Sequence, residues 1–159
     1  MTVLVDSQTT RGEKEIERIR KTADHLLRYT GHIDSELSVL LVDDKRISEL
    51  NAAYRRKNRP TNVLSFPMLE QKSPGMPVLL GDIVISVETA VREAGQQEID
   101  PGDYLAVLLV HGFIHLLGFD HEKGEKEAED MAAQERLHLK KLQKDKLINL
   151  EVDNLMSLK

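Results

Sequence analysis

The sequence predicts an α+β fold in which a single mixed β-sheet of about four strands packs with about five helices. Two observations support this prediction. Short segments of aliphatic and β-branched residues alternate with segments of helical periodicity early in the chain, and helical segments cluster toward its C-terminus. The sequence has no internal repeat and no linker that would separate domains, so residues 1–159 are predicted to form a single domain.

The first part of the chain contains two predicted strands and two predicted helices. "TVLVD", residues 2–6, is a predicted strand, and residues 12–31 have apolar residues at helical spacing up to Gly31, which suits a left-handed helix end. "ELSVLLVDD", residues 36–44, predicts a largely buried second strand. "DKRISELNAAYRRK", residues 44–57, predicts a second helix, whose cationic end suits the helix dipole.

The middle of the chain contains two further strands and a third helix. "TNVLSFP", residues 61–67, predicts a short third strand. The two prolines and the glycine of "LEQKSPGMPV", residues 69–78, predict a loop. "LLGDIVIS", residues 79–86, predicts the fourth strand, and "VETAVREAGQQE", residues 87–98, predicts the third helix.

Residues 100–118 predict a fourth helix whose two ends are marked by the sequence. Asp100 is the predicted N-cap and Pro101 occupies the first helical position. Asp103 is placed as a capping-box-like acid, and Gly118 as the helix stop.

A charged, alanine-rich segment from Lys123 predicts a fifth helix that packs at the surface. Its apolar residues recur at roughly helical spacing, as Ala128, Met131 and Leu142 illustrate. The tail after about residue 147 is predicted to be a ragged extension.

Composition and charge limit the classes of function. The chain has no cysteine, so a metal would need histidine or carboxylate ligands, and a cytoplasmic location is expected. We expect no membrane association, because the sequence shows neither a secretory signal nor a long apolar run. A net charge of -5 argues against indiscriminate binding to nucleic acid, although Arg55, Arg56, Lys57 and Arg59 form a local basic cluster.

The segment "HGFIHLLGFDH", residues 111–121, has the spacing of a metal site. His111 and His115 are four residues apart on the predicted fourth helix, so their side chains point to one side. His121 can join them only if the helix ends first, and Gly118 permits that break. Although a lone histidine in such an apolar run is usually a core residue, this spacing favours a zincin-like metal-site helix. One Zn²⁺ per chain is expected, and other divalent transition metals would also bind.

The same spacing occurs in zinc metallopeptidases of the metzincin type, H-E-x-x-H-x-x-G-x-x-H. This chain has Gly112 in place of the glutamate that accepts a proton from the zinc-bound water. A metallopeptidase therefore remains an alternative function that lacks its expected general base.

These residues resemble the signature of the YbeY family, H-G-x-x-H-L-x-G-[YF]-D-H. Two further segments agree with the family pattern: "YRRKNRPTNVLSFP", residues 54–67, is similar to its Y-R-x-K-x-x-P-T-[DN]-V-L-S-F-P block, and "GDIVIS", residues 81–86, is similar to its G-D-I-x-I-[SC] strand. The resemblance covers most of the chain up to about residue 145.

The resemblance implies a zinc-dependent, single-strand-directed endoribonuclease that acts in ribosomal RNA processing, at the 16S 3' end, and in ribosome quality control. It implies zinc bound by His111, His115 and His121, with Arg55 and His115 needed for catalysis. It also implies RNA as substrate and the ribosome or ribosomal proteins as partners, whereas no DNA partner is expected. The chain would then be a single metal-dependent hydrolase domain.

Several residues have a predicted contact with substrate beside a structural alternative. We expect Arg55 to clamp a phosphate bidentately, and its alternative is a solvated charge at the end of a helix. Lys57 and Arg59 attract phosphate or are solvated charges. Asn62 and Ser65 offer polar contacts to RNA, with Ser65 as an ordinary strand residue for the alternative. Phe66 provides a stacking surface or belongs to the core.

The sequence leaves open the roles of two acidic residues and whether the metal is catalytic or structural. Asp120 could orient an imidazole, accept a proton or cap the turn after Gly118, and Asp82 could be structural. A non-catalytic ribosome assembly factor with a structural zinc is a further alternative to an enzyme.

Overall fold

The computed structural model describes residues 2–68, 78–120 and 122–155 and confirms the predicted α+β fold. Its sheet has four strands in the order β1-β2-β4-β3. β1 pairs with β2 and β2 with β4 in parallel, while β3 pairs with β4 in antiparallel orientation, so the sheet is mixed. The strands are β1 Thr2–Ser7, β2 Ser35–Val42, β3 Val63–Pro67 and β4 Val78–Ser86.

Six α-helices and a short 3-10 helix accompany these strands in the described part of the chain. None of the helices found there is long and apolar enough to cross a membrane. The predicted loop at residues 69–78 lies outside the described residues except for Val78, which begins β4. The helices are α1 Thr10–Glu13, α2 Ile16–Tyr29, α3 Asp44–Arg55, α4 Val87–Gln97, α5 Pro101–Leu116, α6 Glu125–Lys144 and the 3-10 helix Val152–Asn154.

Helices cover both faces of the sheet, as alternate residues of β4 show. Ile83 and Ile85 belong to the main hydrophobic core together with residues of α2, α4, α5 and α6. Val84 belongs to a smaller cluster with Ile47 of α3. Because successive strand residues point to opposite faces, α3 and α5 lie on opposite sides of the sheet.

The helix α5 is the centre of the main core. It contacts β3 and β4 as well as α2, α4 and α6. Its residues from Gly102 to Ile114 are all buried, and Phe113 is fully buried. Each such apolar side chain contributes about 1.5–3 kcal/mol to folding, so the helix that holds His111 and His115 is firmly fixed.

The predicted helix over residues 12–31 is in fact two helices. α1 begins after Thr9, whose hydroxyl accepts a hydrogen bond from the Gly12 N–H at 3.0 Å, and α2 begins only at Ile16. A Cβ on Gly12 would lie 2.5 Å from Ser7 Oγ, so the first turn packs closely against the end of β1. Gly31 has a φ of 75° and follows α2, as predicted for its C-terminal end.

The start of α5 confirms one predicted cap and corrects another. The Asp100 side chain accepts a hydrogen bond from the Asp103 N–H at 3.1 Å, as an N-cap does. Asp103 does not form a capping box; its carboxylate pairs with Arg18 of α2 and accepts a hydrogen bond from the Asn149 N–H at 3.3 Å. It thus connects three distant parts of the chain, which local spacing could not reveal.

The prediction of a ragged tail after residue 147 is wrong for residues 148–155. Ile148, Leu150 and Val152 are at most 9% exposed and belong to the main core. Lys146, with a φ of 63°, lets the chain turn back after α6. The alternation of these three apolar residues, with period two, is the signal of an extended segment with one buried side.

The start of α3 is tied to the start of α4 by a carboxylate. Asp44 accepts hydrogen bonds from Ser86 Oγ at 2.7 Å, Thr89 Oγ1 at 2.6 Å and Arg92 Nη1 at 2.9 Å. Burial alone would raise the pKa of this carboxyl, but the three donors outweigh burial and lower its pKa below the ordinary value. The ionised form of Asp44 is therefore part of the folded structure.

Candidate functional site

A cleft of about 1000 Å³ runs along the edge strand β3, between the end of α3 and the end of α5. Of the described residues for which the sequence predicts a role in the site, eight line this cleft together with Phe66, whereas Asp82 does not. Their roles stay predictions, but the chain brings them together from three separate segments. These residues are Arg55, Lys57, Arg59, Asn62, Ser65, His111, His115 and Asp120.

His111 and His115 lie side by side near the end of α5. Their ring centroids are 4.8 Å apart, with an angle of 79° between the ring planes. His111 is 8% exposed, while His115 is half-buried. Two imidazoles one helical turn apart on the wall of a cleft suit two ligands of one metal ion.

The turn after α5 ends the helix as a metal site requires. Gly118 has a φ of 101°, and its N–H donates to the carbonyl of His115 at 3.0 Å. The Phe119 N–H donates to the carbonyl of Ile114 at 3.3 Å, which completes a Schellman motif. The helix therefore ends at Leu116, five residues before position 121.

The third predicted ligand, His121, lies outside the described residues. Among residues 2–68, 78–120 and 122–155, no group of three histidine, aspartate or glutamate side chains makes a complete metal site. The two imidazoles of His111 and His115 fit zinc, since neutral imidazoles are common zinc ligands.

Glu135 of α6 is a site residue that sequence reasoning missed. Its Oε1 lies 2.5 Å from Nδ1 of His111, and the two side chains are 10% and 11% exposed. A carboxylate on Nδ1 fixes the ring of a metal-binding histidine and makes Nε2 the nitrogen that would bind the metal. One sequence signal was available: Glu135 shares the buried side of α6 with Met131, Leu139 and Leu142.

Gly112 packs directly against the sheet. A Cβ at this position would lie 2.9 Å from Ile83 Cγ2 and 3.1 Å from Ser65 Oγ. The Ser65 hydroxyl donates to the carbonyl of Gly112 at 2.9 Å and so connects β3 to α5. Because its hydrogen is used in this bond, the Ser65 hydroxyl can only accept a hydrogen bond from a ligand in the cleft. Any side chain at position 112 would therefore require Ile83 to shift.

The basic cluster forms one rim of the cleft. Arg55 is the last residue of α3, and its Nη2 lies 3.6 Å from Oε1 of Glu122, next to position 121. Lys57 and Arg59 also line the cleft, whereas Arg56 lies outside the lining and ends the helix in the left-handed conformation, with a φ of 58°. The two segments with the strongest predicted roles thus meet at this rim.

Asn51 holds the basic segment in place and was not predicted. Its Nδ2 donates to the carbonyl of Arg59 at 3.0 Å, and its backbone carbonyl accepts from the Lys57 N–H at 3.3 Å. Asn51 is 1% exposed, so the segment after α3 is fixed to a buried residue.

Asn62 is engaged at the far wall of the cleft. Its Nδ2 donates to Glu93 Oε1 at 2.9 Å, and the same oxygen accepts from the Tyr104 hydroxyl at 3.0 Å. Burial, followed by the charge of Glu93, raises the pKa of Tyr104, so its hydroxyl stays a donor. Glu93 places a carboxylate in the cleft that the sequence did not single out.

The two predicted acids differ in position. The Asp120 Oδ1 accepts a hydrogen bond from the Glu122 N–H at 2.9 Å, which is the turn-capping arrangement, and Asp120 lines the cleft. Asp82 is exposed on β4 and lies outside the cleft lining.

Comparisons of the sequence with known proteins point to one family. The family described as Endoribonuclease YbeY matches residues 4–143. An Endoribonuclease YbeY from Geobacter metallireducens is 42% identical over 138 residues, covering 86% of this chain and 92% of that protein. One from Aquifex aeolicus is 44% identical over 128 residues, covering 80% and 84%.

The fold has a counterpart among solved structures. The solution structure of a Thermotoga maritima protein superposes with a TM-score of 0.63 at 24% identity, covering 90% of each chain. The sequence signature, the arrangement of the cleft and the match over residues 4–143 lead to one conclusion. The chain belongs to the YbeY endoribonuclease family.

Proposed function

We propose that this protein is a zinc-dependent endoribonuclease that cuts single-stranded regions of ribosomal RNA. The observation that carries the proposal is the meeting of a histidine pair and a cationic rim in one cleft, with the matching relatives named endoribonucleases. The proposed role is 16S 3'-end processing and ribosome quality control. It includes the ribosome or ribosomal proteins as partners and a cytoplasmic location.

His111, His115 and His121 would hold the zinc. The hydrogen bond that Glu135 Oε1 accepts from His111 Nδ1 supports this assignment, because a buried carboxylate on Nδ1 is the usual outer partner of a metal-binding imidazole. When bound, zinc supplies a Lewis acid for a phosphate oxygen and a more acidic water. Other divalent transition metals suit the same imidazoles.

Arg55 is the proposed phosphate clamp. Its position at the end of α3 supports this role, since the guanidinium lies at the rim beside the turn that contains position 121. Its contact with Glu122 is long and exposed, so a phosphate can displace it at little cost. A planar guanidinium binds two phosphate oxygens at once and stabilises the charge that develops during cleavage.

The remaining wall residues would position the RNA strand. Lys57 and Arg59 attract the phosphates of the RNA. Asn62 and Ser65 line the cleft beside β3, where they would contact the bound RNA. Asp120 keeps the turn after Gly118 in shape through its bond to the Glu122 N–H. The proposal assigns Asp120 this positioning role.

The two alternatives are not favoured. A peptidase would need a general base at position 112, where a side chain would collide with Ile83. An assembly factor without catalysis does not fit relatives that are named endoribonucleases.

A cleavage assay on an RNA fragment with a single-stranded 16S 3' end tests the proposal. We expect His115→Ala and Arg55→Ala to lose at least about a hundredfold in kcat/KM, the usual cost of losing a charge-stabilising group. Arg56→Ala is the matched control, because Arg56 belongs to the same basic cluster but lies outside the cleft. Equal cleavage by all four proteins would indicate a contaminating nuclease and reject the proposal.

A further inference from the structure

Tyr54 is the one exposed aromatic residue of this protein. The chain has three tyrosines, three phenylalanines and no tryptophan, and all six lie within the residues that the structure describes. Tyr54 is 67% exposed, whereas the other five are buried or half-buried. Because this exposed ring lines the cleft, its surface is available to a flat ligand, whose binding would recover the free energy of burying the ring.

The position of this ring is fixed relative to the cleft. Tyr54 packs edge-to-face with Phe66 of β3, with ring centroids 4.9 Å apart and an angle of 64° between the planes. Both residues line the cleft, and Tyr54 directly precedes Arg55. Phe66 is held by the antiparallel pairing of β3 with β4. The aromatic pair therefore offers a supported ring surface at the cationic rim.

The surroundings of Tyr54 indicate the kind of ligand. Tyr54 lines the same cleft as the cations Arg55, Lys57 and Arg59, and this setting suits a ligand that combines phosphates with flat apolar groups. Single-stranded nucleic acid has this combination, because each unpaired base exposes a face for stacking. A duplex hides those faces between its base pairs.

We propose that Tyr54, supported by Phe66, is a stacking site for one unpaired base of the RNA strand, next to the phosphate that Arg55 binds. This inference rests on the proposed function and adds a physical basis for the preference for single strands. One such site is consistent with an aromatic content of 4%, which leaves most of the binding to phosphate contacts.

The test compares Tyr54→Leu with Tyr54→Phe in the zinc-loaded protein. Leucine still covers Phe66 but offers no ring, whereas phenylalanine keeps the ring and loses only the hydroxyl. Cleavage of a single-stranded RNA oligonucleotide is followed under single-turnover conditions at increasing protein concentration. This measures the half-saturating protein concentration and the maximal cleavage rate separately. We expect Tyr54→Leu to raise the half-saturating concentration by about tenfold with little change in maximal rate, and Tyr54→Phe to behave as wild type.

A set of oligonucleotides, each lacking one base, distinguishes stacking from a merely structural role. Removal of the base that stacks on Tyr54 should weaken RNA binding by wild type. The same removal should not weaken binding by Tyr54→Leu further, since the variant and the missing base abolish the same interaction. Thermal unfolding of Tyr54→Leu should match wild type, because the residue is exposed.

Two outcomes would overturn the inference separately from the proposed function. If wild type cleaves the oligonucleotide and Tyr54→Leu has the same half-saturating concentration, stacking is rejected while the nuclease stands. If the loss of binding caused by Tyr54→Leu adds to the loss caused by removing a base, whichever base is removed, stacking is rejected as well. If wild type neither binds nor cleaves RNA, the proposed function fails and the stacking site fails with it.

Discussion

Replacing Glu135 by glutamine removes one negative charge from the partner of His111 while keeping the shape of the side chain. The bond from His111 Nδ1 to Glu135 Oε1 is 2.5 Å long, and both side chains are about nine-tenths buried, at 11% and 10% exposure. Loss of such an outer partner typically weakens metal binding by about 10- to 100-fold, or roughly 1.4–2.7 kcal/mol. We expect a zinc dissociation constant raised within that range.

Competition with a chromophoric zinc chelator measures this change directly, without reliance on RNA cleavage. The metal-free variant should unfold at a similar denaturant concentration to metal-free wild type, because removing the buried charge also removes its desolvation cost. Glu129→Gln is the matched control, since Glu129 is an exposed carboxylate on the same helix. Wild-type zinc affinity in Glu135→Gln, or an equal loss in Glu129→Gln, would refute the role assigned to Glu135.

Three further predictions concern stability. Gly112→Ala should lower the free energy of unfolding by about 1–3 kcal/mol in urea titrations, because the new Cβ would lie 2.9 Å from Ile83 Cγ2; an unchanged midpoint would contradict the packing of α5 on the sheet. Ile148→Ala should cost about 2–5 kcal/mol, since Ile148 is 3% exposed, and a neutral effect would show that the tail does not pack in the core. Asp44 has a lowered pKa, so its contribution is present above the unfolded-state pKa of about 3.9 and is lost as pH falls through the lower folded-state pKa. Asp44→Asn should flatten the fall in stability over that acidic range, and an unchanged pH profile in thermal unfolding would contradict this linkage.

The fold could be predicted from the sequence largely because its signals are local. The helix α5 is capped by Asp100 and ends before Gly118 through short-range hydrogen bonds that depend on residue types a few positions apart. The strands follow from runs of β-branched and aliphatic residues. The meeting of the basic cluster with the histidines came from the family resemblance, since spacing alone does not bring α3 and α5 to one cleft.

The features that the sequence does not predict depend on contacts between distant segments of the chain. Glu135 lies 24 residues from His111, and a glutamate in a charged helix looks like a solvated residue unless its neighbours on the same helix side are considered. Asp103 looked like a local cap, but Arg18 and the tail compete for its carboxylate. The tail itself was misjudged because three apolar residues at alternate positions are a weak signal beside a long charged helix.

The central claim is that the cleft is a zinc-dependent site for cutting RNA. Its most direct test is a titration of metal-free protein with zinc in which bound zinc and RNA cleavage are measured on the same samples. We predict that both rise together and saturate at about one zinc per chain, and that His115→Ala shows neither. Full cleavage by protein stripped of metal, or zinc binding at one per chain without any cleavage of single-stranded RNA, would contradict the account.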